Sequence, residues 1–142
     1  MLERFEHDGI SFRYPATWQL EQEPNDNGWT VSLQSPGTAF VFLSCDESMP
    51  TAEDVAETAL AALKEEYPDL EAEPRVEKLA GQMAVGHDVQ FFHFDLTNTC
   101  WTRSFYSGAG TVLLLCQVSD IEEETYGPVL RAIGASLESK DE

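Results

Sequence analysis

Residues 87–118 constrain the fold of this chain more than any other stretch of its sequence. They contain three segments rich in aromatic and β-branched residues, and the links between them are too short for anything but hairpins. The first link is predicted at Thr97-Asn98, and the second contains the glycines that a tight turn needs. We therefore predict three consecutive antiparallel strands: His87–Leu96, Thr99–Ser107 and Thr111–Val118.

The third of these strands lacks the alternation of a half-exposed strand. Its sequence, Thr-Val-Leu-Leu-Leu-Cys-Gln-Val, is a nearly continuous apolar run. Such a run is typical of a strand that is covered on both faces. The sequence therefore predicts that residues 111–118 are central in a sheet and that helices lie on opposite faces of it.

Hairpin and helix signals organise the rest of the chain. Asp8-Gly9 predicts a type I′ turn between two short strands. Apolar spacing predicts one helix that starts at Thr51 and ends before Pro68, and a second that is capped by Ser119 or Asp120. Pro128 predicts a kink or a restart in that second helix. Further predictions are a strand from Trp18 to about Gln22, a loop over 21–28, strands Trp29–Ser35 and Ala39–Cys45, an acidic connector over 69–74 and a short strand Val76–Leu79.

Together these elements predict one α+β domain over residues 1–142, an antiparallel β-sheet flanked by helices on both faces. The length suits a single domain with a core of its own.

Charge limits the class of partner. The chain has 26 acidic and 8 basic residues, a formal net charge of −18. Binding to nucleic acid depends on Lys and Arg that neutralise phosphates, so we expect no nucleic-acid partner. A basic protein partner remains compatible with this charge. The chain has no apolar run of membrane-spanning length and a charged N-terminus without a signal-peptide core, so we expect no membrane span and a cytoplasmic location.

The sequence offers no motif for catalysis or for a cofactor. His87 and His93 lie six residues apart on one predicted strand, about 20 Å, which is too far to share a metal ion. No nucleophile, phosphate-binding or dinucleotide-binding motif is present. We expect no enzyme, no metal and no cofactor. Cys100 and Cys116 lie on neighbouring predicted strands, so pairing stays open, although a cytoplasmic location favours free thiols.

One constellation remains as a weak candidate binding site: Arg103, Trp101 and Phe92. With the turn at 97–98, Phe92 faces Arg103 and Phe94 faces Trp101 across the hairpin. In one interpretation the arginine stacks on aromatic rings and holds an anionic ligand. In the other, which we favour, its stem packs on the sheet and its guanidinium reaches a carboxylate at the sheet edge.

The segment Gly9-Ile-Ser-Phe-Arg-Tyr-Pro-Ala-Thr-Trp18 resembles the G-x-x-F-x-Y-P-x-x-W opening of the PsbP-like superfamily. Later features agree in order: Tyr67-Pro68, Gly81 and Gly86 before an aromatic strand, Arg103, and the run Ile133-Gly-Ala-Ser-Leu137. The resemblance implies an α-β-α sandwich. It also implies an accessory or binding role, since the members with known roles are a photosystem subunit, a Ran-binding factor and chaperones of type VI secretion effectors.

Three functions follow as hypotheses. The first is a non-enzymatic protein-binding or accessory domain. The second is a chaperone for a type VI secretion effector that grips an apolar segment in a groove of the sheet, with Trp29, Phe40 and Phe42 as its exposed apolar residues. The third is a small-molecule-binding protein with a pocket near Arg103. The sequence leaves the oligomeric state and the identity of any partner open.

Overall fold

A computed structural model describes residues 1–140 of the chain and folds them into two antiparallel sheets and two helices. The elements, in chain order, are β1 (Leu2–His7), β2 (Ile10–Pro15), β3 (Gln19–Asn25), β4 (Gly28–Gln34), β5 (Phe40–Asp46), α1 (Ala52–Glu66), β6 (Glu71–Leu79), β7 (Gln82–His93), β8 (Leu96–Tyr106), β9 (Thr111–Ser119), α2 (Glu123–Ala135) and β10 (Glu138–Ser139).

The larger sheet has seven strands in the order β3-β4-β5-β9-β8-β7-β6, all antiparallel. Strand β9 is the middle strand, which confirms its predicted central position. The two faces of β9 are buried to different extents. Val112, Leu114, Cys116 and Val118 are buried, whereas Leu113, Leu115 and Gln117 on the other face are only half-buried.

The smaller sheet has three strands in the order β1-β2-β10. Its first hairpin turns at Asp8 and Gly9, whose φ angles of 51° and 81° match the predicted turn. The third strand was not predicted, because two residues are too few to produce a strand pattern. The backbone N–H of Lys140 donates to the Gly9 carbonyl and holds this end of the chain beside the hairpin.

The predicted turn at Thr97-Asn98 is wrong. The β7–β8 turn lies at Phe94 and Asp95, and both predicted turn residues belong to β8. As a result Trp101 pairs with Asp88 rather than Phe94, and Arg103 pairs with Gly86 rather than Phe92. The prediction failed because Thr-Asn resembles a turn pair more closely than Phe-Asp does.

Polar composition also obscured strand residues at both edges of the large sheet. The predicted loop over 21–28 belongs mostly to β3, which continues to Asn25, and the predicted connector over 69–74 contains the start of β6. Both are edge strands with many exposed acidic residues. Charged side chains and proline are common on edge strands because they discourage pairing with another chain.

The two helices begin differently. The Thr51 hydroxyl accepts a hydrogen bond from the Asp54 backbone N–H at 3.0 Å, as the capping pattern predicts. The predicted cap of α2 by Ser119 or Asp120 is wrong: Glu122 occupies the cap position and makes no capping hydrogen bond with its side chain. Helix α2 continues through Pro128.

Each helix contacts a different part of the fold. Helix α1 packs on β7, β8 and β9, where Tyr67 stacks on Phe91 with ring centroids 3.8 Å apart. Helix α2 contacts β9 and β2, and Arg131 lies 5.7 Å from the centroid of the Trp101 ring. No helix within residues 1–140 has the length and apolar character needed to cross a bilayer.

Candidate functional site

Arg103 is buried, with 6% of its surface exposed, and nearly all of its hydrogen-bonding capacity is used. Its Nε donates to Glu77 at 2.5 Å and one terminal nitrogen donates to Asp88 at 2.9 Å. The other terminal nitrogen donates to the carbonyls of Thr102 and His87 at 2.8 and 3.3 Å. A guanidinium has five N–H donors, so only one is left for any ligand.

Asp88 links Arg103 to a second arginine. Its other carboxylate oxygen accepts from Arg75 Nε at 3.0 Å, and Arg75 also donates to Glu73 at 2.6 Å. The result is a chain of alternating charges along β6, β7 and β8, from Glu73 to Glu77. Glu77 and Glu73 both lie on the edge strand β6, so the guanidinium of Arg103 reaches an edge carboxylate, the arrangement favoured from the sequence.

These residues line a polar cleft of about 700 Å³, here called the arginine cleft. Trp101 and Arg131 also line it. The Arg131 guanidinium lies over the Trp101 ring, 5.7 Å from its centroid. Phe92 is not part of the cleft; it is 77% exposed near the end of β7. The structure thus brings Trp101 and Arg103 together and leaves the third predicted site residue outside.

The arginine cleft has the wrong electrostatics for an anionic ligand. Its arginines are engaged with carboxylates, and four acidic residues lie among the lining: Glu71, Glu73, Glu77 and Asp88. An anion would have to compete with carboxylates that already hold the guanidinium groups. The contacts of Arg103 therefore favour a structural role for this side chain.

A second cavity, of about 690 Å³, lies between the C-terminal half of α1 and the strands β3, β4, β5 and β9. We call it the apolar groove. Its apolar floor and wall come from Phe40, Phe42, Leu63, Tyr67 and Leu115, and amide or carboxylate side chains form much of its rim: Gln19, Gln34, Gln117, Glu21 and Glu66.

The groove contains two of the three residues that the sequence suggested for an apolar surface. Phe40 and Phe42 are half-buried and line it. Trp29 does not: it is buried against Phe5, and its indole Nε1 donates to Asp8 at 3.0 Å. Sequence reasoning missed Leu63, Tyr67 and Leu115, since their contribution depends on how α1 crosses β9.

The charged side chains at the groove are all negative. Among residues 1–140, those that line it include Glu21 and Glu66 but no Lys, Arg or His. A positively charged group bound at this rim would meet carboxylates, and a negatively charged one would meet no cation.

The histidines and cysteines form no catalytic arrangement among residues 1–140. His87 is buried beneath α1 with Nε2 3.7 Å from Glu57, and its Nδ1 has no hydrogen-bond partner within the described part of the chain. No three His, Cys, Asp or Glu side chains of this region are grouped as metal ligands. All three cysteines are free and buried. Cys100 pairs with Gln117 and Trp101 with Cys116, so the two thiols on these neighbouring strands point to opposite faces.

Comparison with known proteins gives a likeness in fold. No family profile and no curated protein matches the sequence. The solution structure of the cyanobacterial PsbP protein of Synechocystis has a TM-score of 0.66 at 13% identity, with 98% of this chain and 92% of that chain covered. A Bacteroides thetaiotaomicron crystal structure gives 0.65 at 14% identity and covers 98% of this chain, which spans 48% of that one.

A protein of unknown function and putative regulator from Pseudomonas aeruginosa gives a TM-score of 0.58 at 14% identity, with 99% of each chain covered. LpqN of Mycobacterium tuberculosis, involved in cell envelope biogenesis, gives 0.54 at 15% identity over 96% of this chain and 90% of that one. The chain therefore has a PsbP-like fold, as its sequence motifs indicated.

Proposed function

We propose that this protein is a non-catalytic binding domain and that the apolar groove is where it docks an apolar segment of another protein. The observation that carries the proposal is the groove itself. Phe40 and Phe42 of β5 and Leu115 of β9 form one apolar surface beside α1, and they are only half-buried. A contiguous apolar surface with a polar rim is typical of an interaction site.

The proposal includes a layered arrangement in which helices lie on both faces of the large sheet. Phe91 and Trp101 alternate to opposite faces, since Phe91 pairs with Asn98 and Trp101 with Asp88. Tyr67, which follows α1, stacks on Phe91, and Arg131 of α2 lies over Trp101. These contacts support a sandwich with α1 on one side and α2 with the small sheet on the other.

This arrangement explains why the groove is open. Strands are about 4.8 Å apart, so seven strands span about 29 Å, whereas a helix with its side chains is about 10 Å wide. Helix α1 covers β7, β8 and β9. On that face no helix of residues 1–140 covers β3, β4 and β5. The apolar groove lies at the boundary between the strands that α1 covers and those that it leaves open.

The solved structures of similar fold are compatible with a binding role. They include cyanobacterial PsbP and a putative regulator. A chaperone for a secretion effector is the second candidate, because the same groove would shield an apolar segment of its client. A type VI effector encoded beside this protein would favour that candidate over a general accessory role.

The test compares two variants in a pull-down from the native host. Phe42→Asp places a charge in the groove floor, whereas Val76→Asp places one on β6, where Val76 is 63% exposed and far from the groove lining. We expect a partner that is retained by the wild type and by Val76→Asp and is lost with Phe42→Asp. Circular dichroism checks that both variants are folded. Equal retention by both variants, or no retained partner, contradicts the proposal.

A further inference from the structure

The end of the β7–β8 hairpin exposes two phenylalanines. Phe92 is 77% exposed and Phe94 is 86% exposed, more than other aromatic residues described in the chain. Together with His93 between them they form what we call the aromatic tip. Phe92 alternates with His93 along β7 and Phe94 packs beside the His93 ring, so the two phenylalanines expose apolar surface on two sides of the hairpin end. Two large apolar side chains this exposed at one hairpin end suggest a contact site.

The backbone of the tip is strained for the residues it carries. Phe94 has φ 53° and Asp95 has φ 63°, and no glycine is present in the turn. A two-residue hairpin turn of this kind is ordinarily occupied by Asn-Gly, because positive φ is unfavourable for a bulky residue. A phenylalanine kept in such a conformation, where it buries little of its own surface, suggests a use for its side chain outside the molecule.

The tip is held in place from below. The His93 ring lies 4.1 Å from the Phe94 ring and meets the edge of Tyr67 at 5.5 Å. Tyr67 in turn stacks on Phe91. This chain of rings ends in the core beneath α1, so the Phe94 ring has a packing partner on the hairpin although most of its surface is exposed.

The surroundings of the tip are acidic. Asp95 is part of the turn, Asp120 donates its backbone N–H to the Thr97 carbonyl beside it, and Glu71 pairs with Gln90 of β7. No Lys or Arg occurs between Lys78 and Arg103.

We propose that the aromatic tip is a second docking element, which binds a polypeptide segment that carries apolar side chains together with Lys or Arg. The apolar side chains cover Phe92 and Phe94, and the cations lie against Asp95, Asp120 and Glu71. A second copy of this chain is disfavoured, since each copy carries a net charge of −18. An anionic membrane is disfavoured for the same reason. Apart from Tyr67, which also lines the groove, the inference rests on observations separate from those for the groove.

The experiment selects ligands from a displayed library of random peptides of about twenty residues on the wild-type protein. Enriched peptides are then measured against three variants. Phe92→Ser with Phe94→Asn removes the tip, and Asn suits a positive φ, so the fold is preserved. Val76→Thr with Met83→Ser is the matched control, since it removes two apolar residues exposed by 63% and 60% on the neighbouring hairpin. Phe42→Asp tests the groove.

We expect enriched peptides to be rich in Lys or Arg and in apolar residues, and their affinity to fall about tenfold or more with the tip variant and less than about twofold with the control. Peptides that respond only to Phe42→Asp overturn the tip while the groove proposal stands. Peptides that respond only to the tip variant support the tip and count against the groove. Enrichment of acidic peptides, an absence of enrichment, or tip-dependent sedimentation with phosphatidylcholine vesicles overturns the inference.

Discussion

Arg103 is a buried charge whose contacts favour a structural role. It lies on β8, two strands in from the edge strand β6, where its guanidinium is almost fully hydrogen-bonded by Glu77, Asp88 and two carbonyls. Removing Arg103 from this set takes away the partner of Glu77 and leaves Asp88 with Arg75, and this costs more than the intact pairs contribute. Replacing Arg103 is therefore expected to lower the free energy of unfolding.

Arg103→Ala is expected to lower the free energy of unfolding by about 1–3 kcal/mol, because Asp88 and Glu77 lose a partner but stay partly solvated. Arg75→Ala is the control, expected below about 1 kcal/mol, because its side chain is 44% exposed. Urea denaturation followed by fluorescence measures both. An Arg103→Ala protein as stable as the Arg75→Ala protein would show that the network contributes no more than a surface ion pair.

The cysteines give a second prediction at this scale. Burial raises the pKa of Cys45 to about 11 and that of Cys100 to about 12, and it raises the pKa of Cys116 further. The thiolate, which is the reactive form, is therefore scarce in the folded protein. We expect iodoacetamide at pH about 8 to label none of the three quickly in the folded state and all three in urea, as measured by mass spectrometry.

The same shifts give a pH dependence with a definite sign. The folded state keeps these thiols protonated at pH values where the unfolded chain has released the protons, so their contribution to stability is complete below the ordinary thiol pKa. It declines as the pH rises from about 9 toward 11 and 12. Fast labelling of the folded protein at pH about 8 would mean that the thiols are accessible and would remove the basis for both expectations.

At the scale of elements, the sequence predicts a strand better than it predicts where the strand turns. The core strands, the Asp8-Gly9 hairpin and helix α1 were predictable because apolar periodicity or a strong turn pair specifies each one locally. The β7–β8 turn was not, because its position is determined by cross-strand pairing along β7 and β8 and not by its own residues.

The same reason explains the errors in the candidate site. Arg103 and Trp101 were identified correctly as neighbours on one strand face, but Phe92 was placed beside them only because the turn was shifted by three residues. Asp88, Glu77 and Arg75 could have been recognised only with the correct register, which puts them on adjacent strands. The strands β3 and β6 were predicted only in part, as Trp18 to about Gln22 and Val76–Leu79, because the rest of each is held by pairing while its composition resembles a loop.

The turn offers a direct comparison between the observed and the predicted register. Replacing Phe94-Asp95 with Asn-Gly places suitable residues at the positive φ angles and is expected to raise the free energy of unfolding by about 0.5–1 kcal/mol. Replacing Thr97-Asn98 with Asn-Gly introduces a glycine within β8 and is expected to lower it by about 1 kcal/mol. Thermal and urea unfolding measure both, and the reverse order would place the turn at 97–98.

At the scale of the whole molecule, charge is the dominant property that no single contact explains. The seven-stranded sheet carries acidic residues along both of its edges, on β3 and β6, and α1 adds more of them on its exposed side. This distribution keeps the edges from pairing with other copies, because like charges repel. It also gives both proposed docking surfaces an acidic border. The same acidic surface therefore favours solubility and favours a basic partner.

The same charge makes stability depend on salt in a predictable direction. With a net charge of −18 the folded chain repels itself, and salt screens this repulsion more than it weakens the few exposed ion pairs. Raising NaCl from about 20 to about 500 mM at pH about 7.5 is therefore expected to raise the midpoint of urea unfolding.

The control is pH near 5, closer to the pI of about 4.2, where less net charge remains and the salt effect should shrink. A midpoint that falls with salt at pH about 7.5 would mean that ion pairs such as those of Arg103 outweigh the net repulsion, and the acidic surface would then no longer account for the behaviour of the whole molecule.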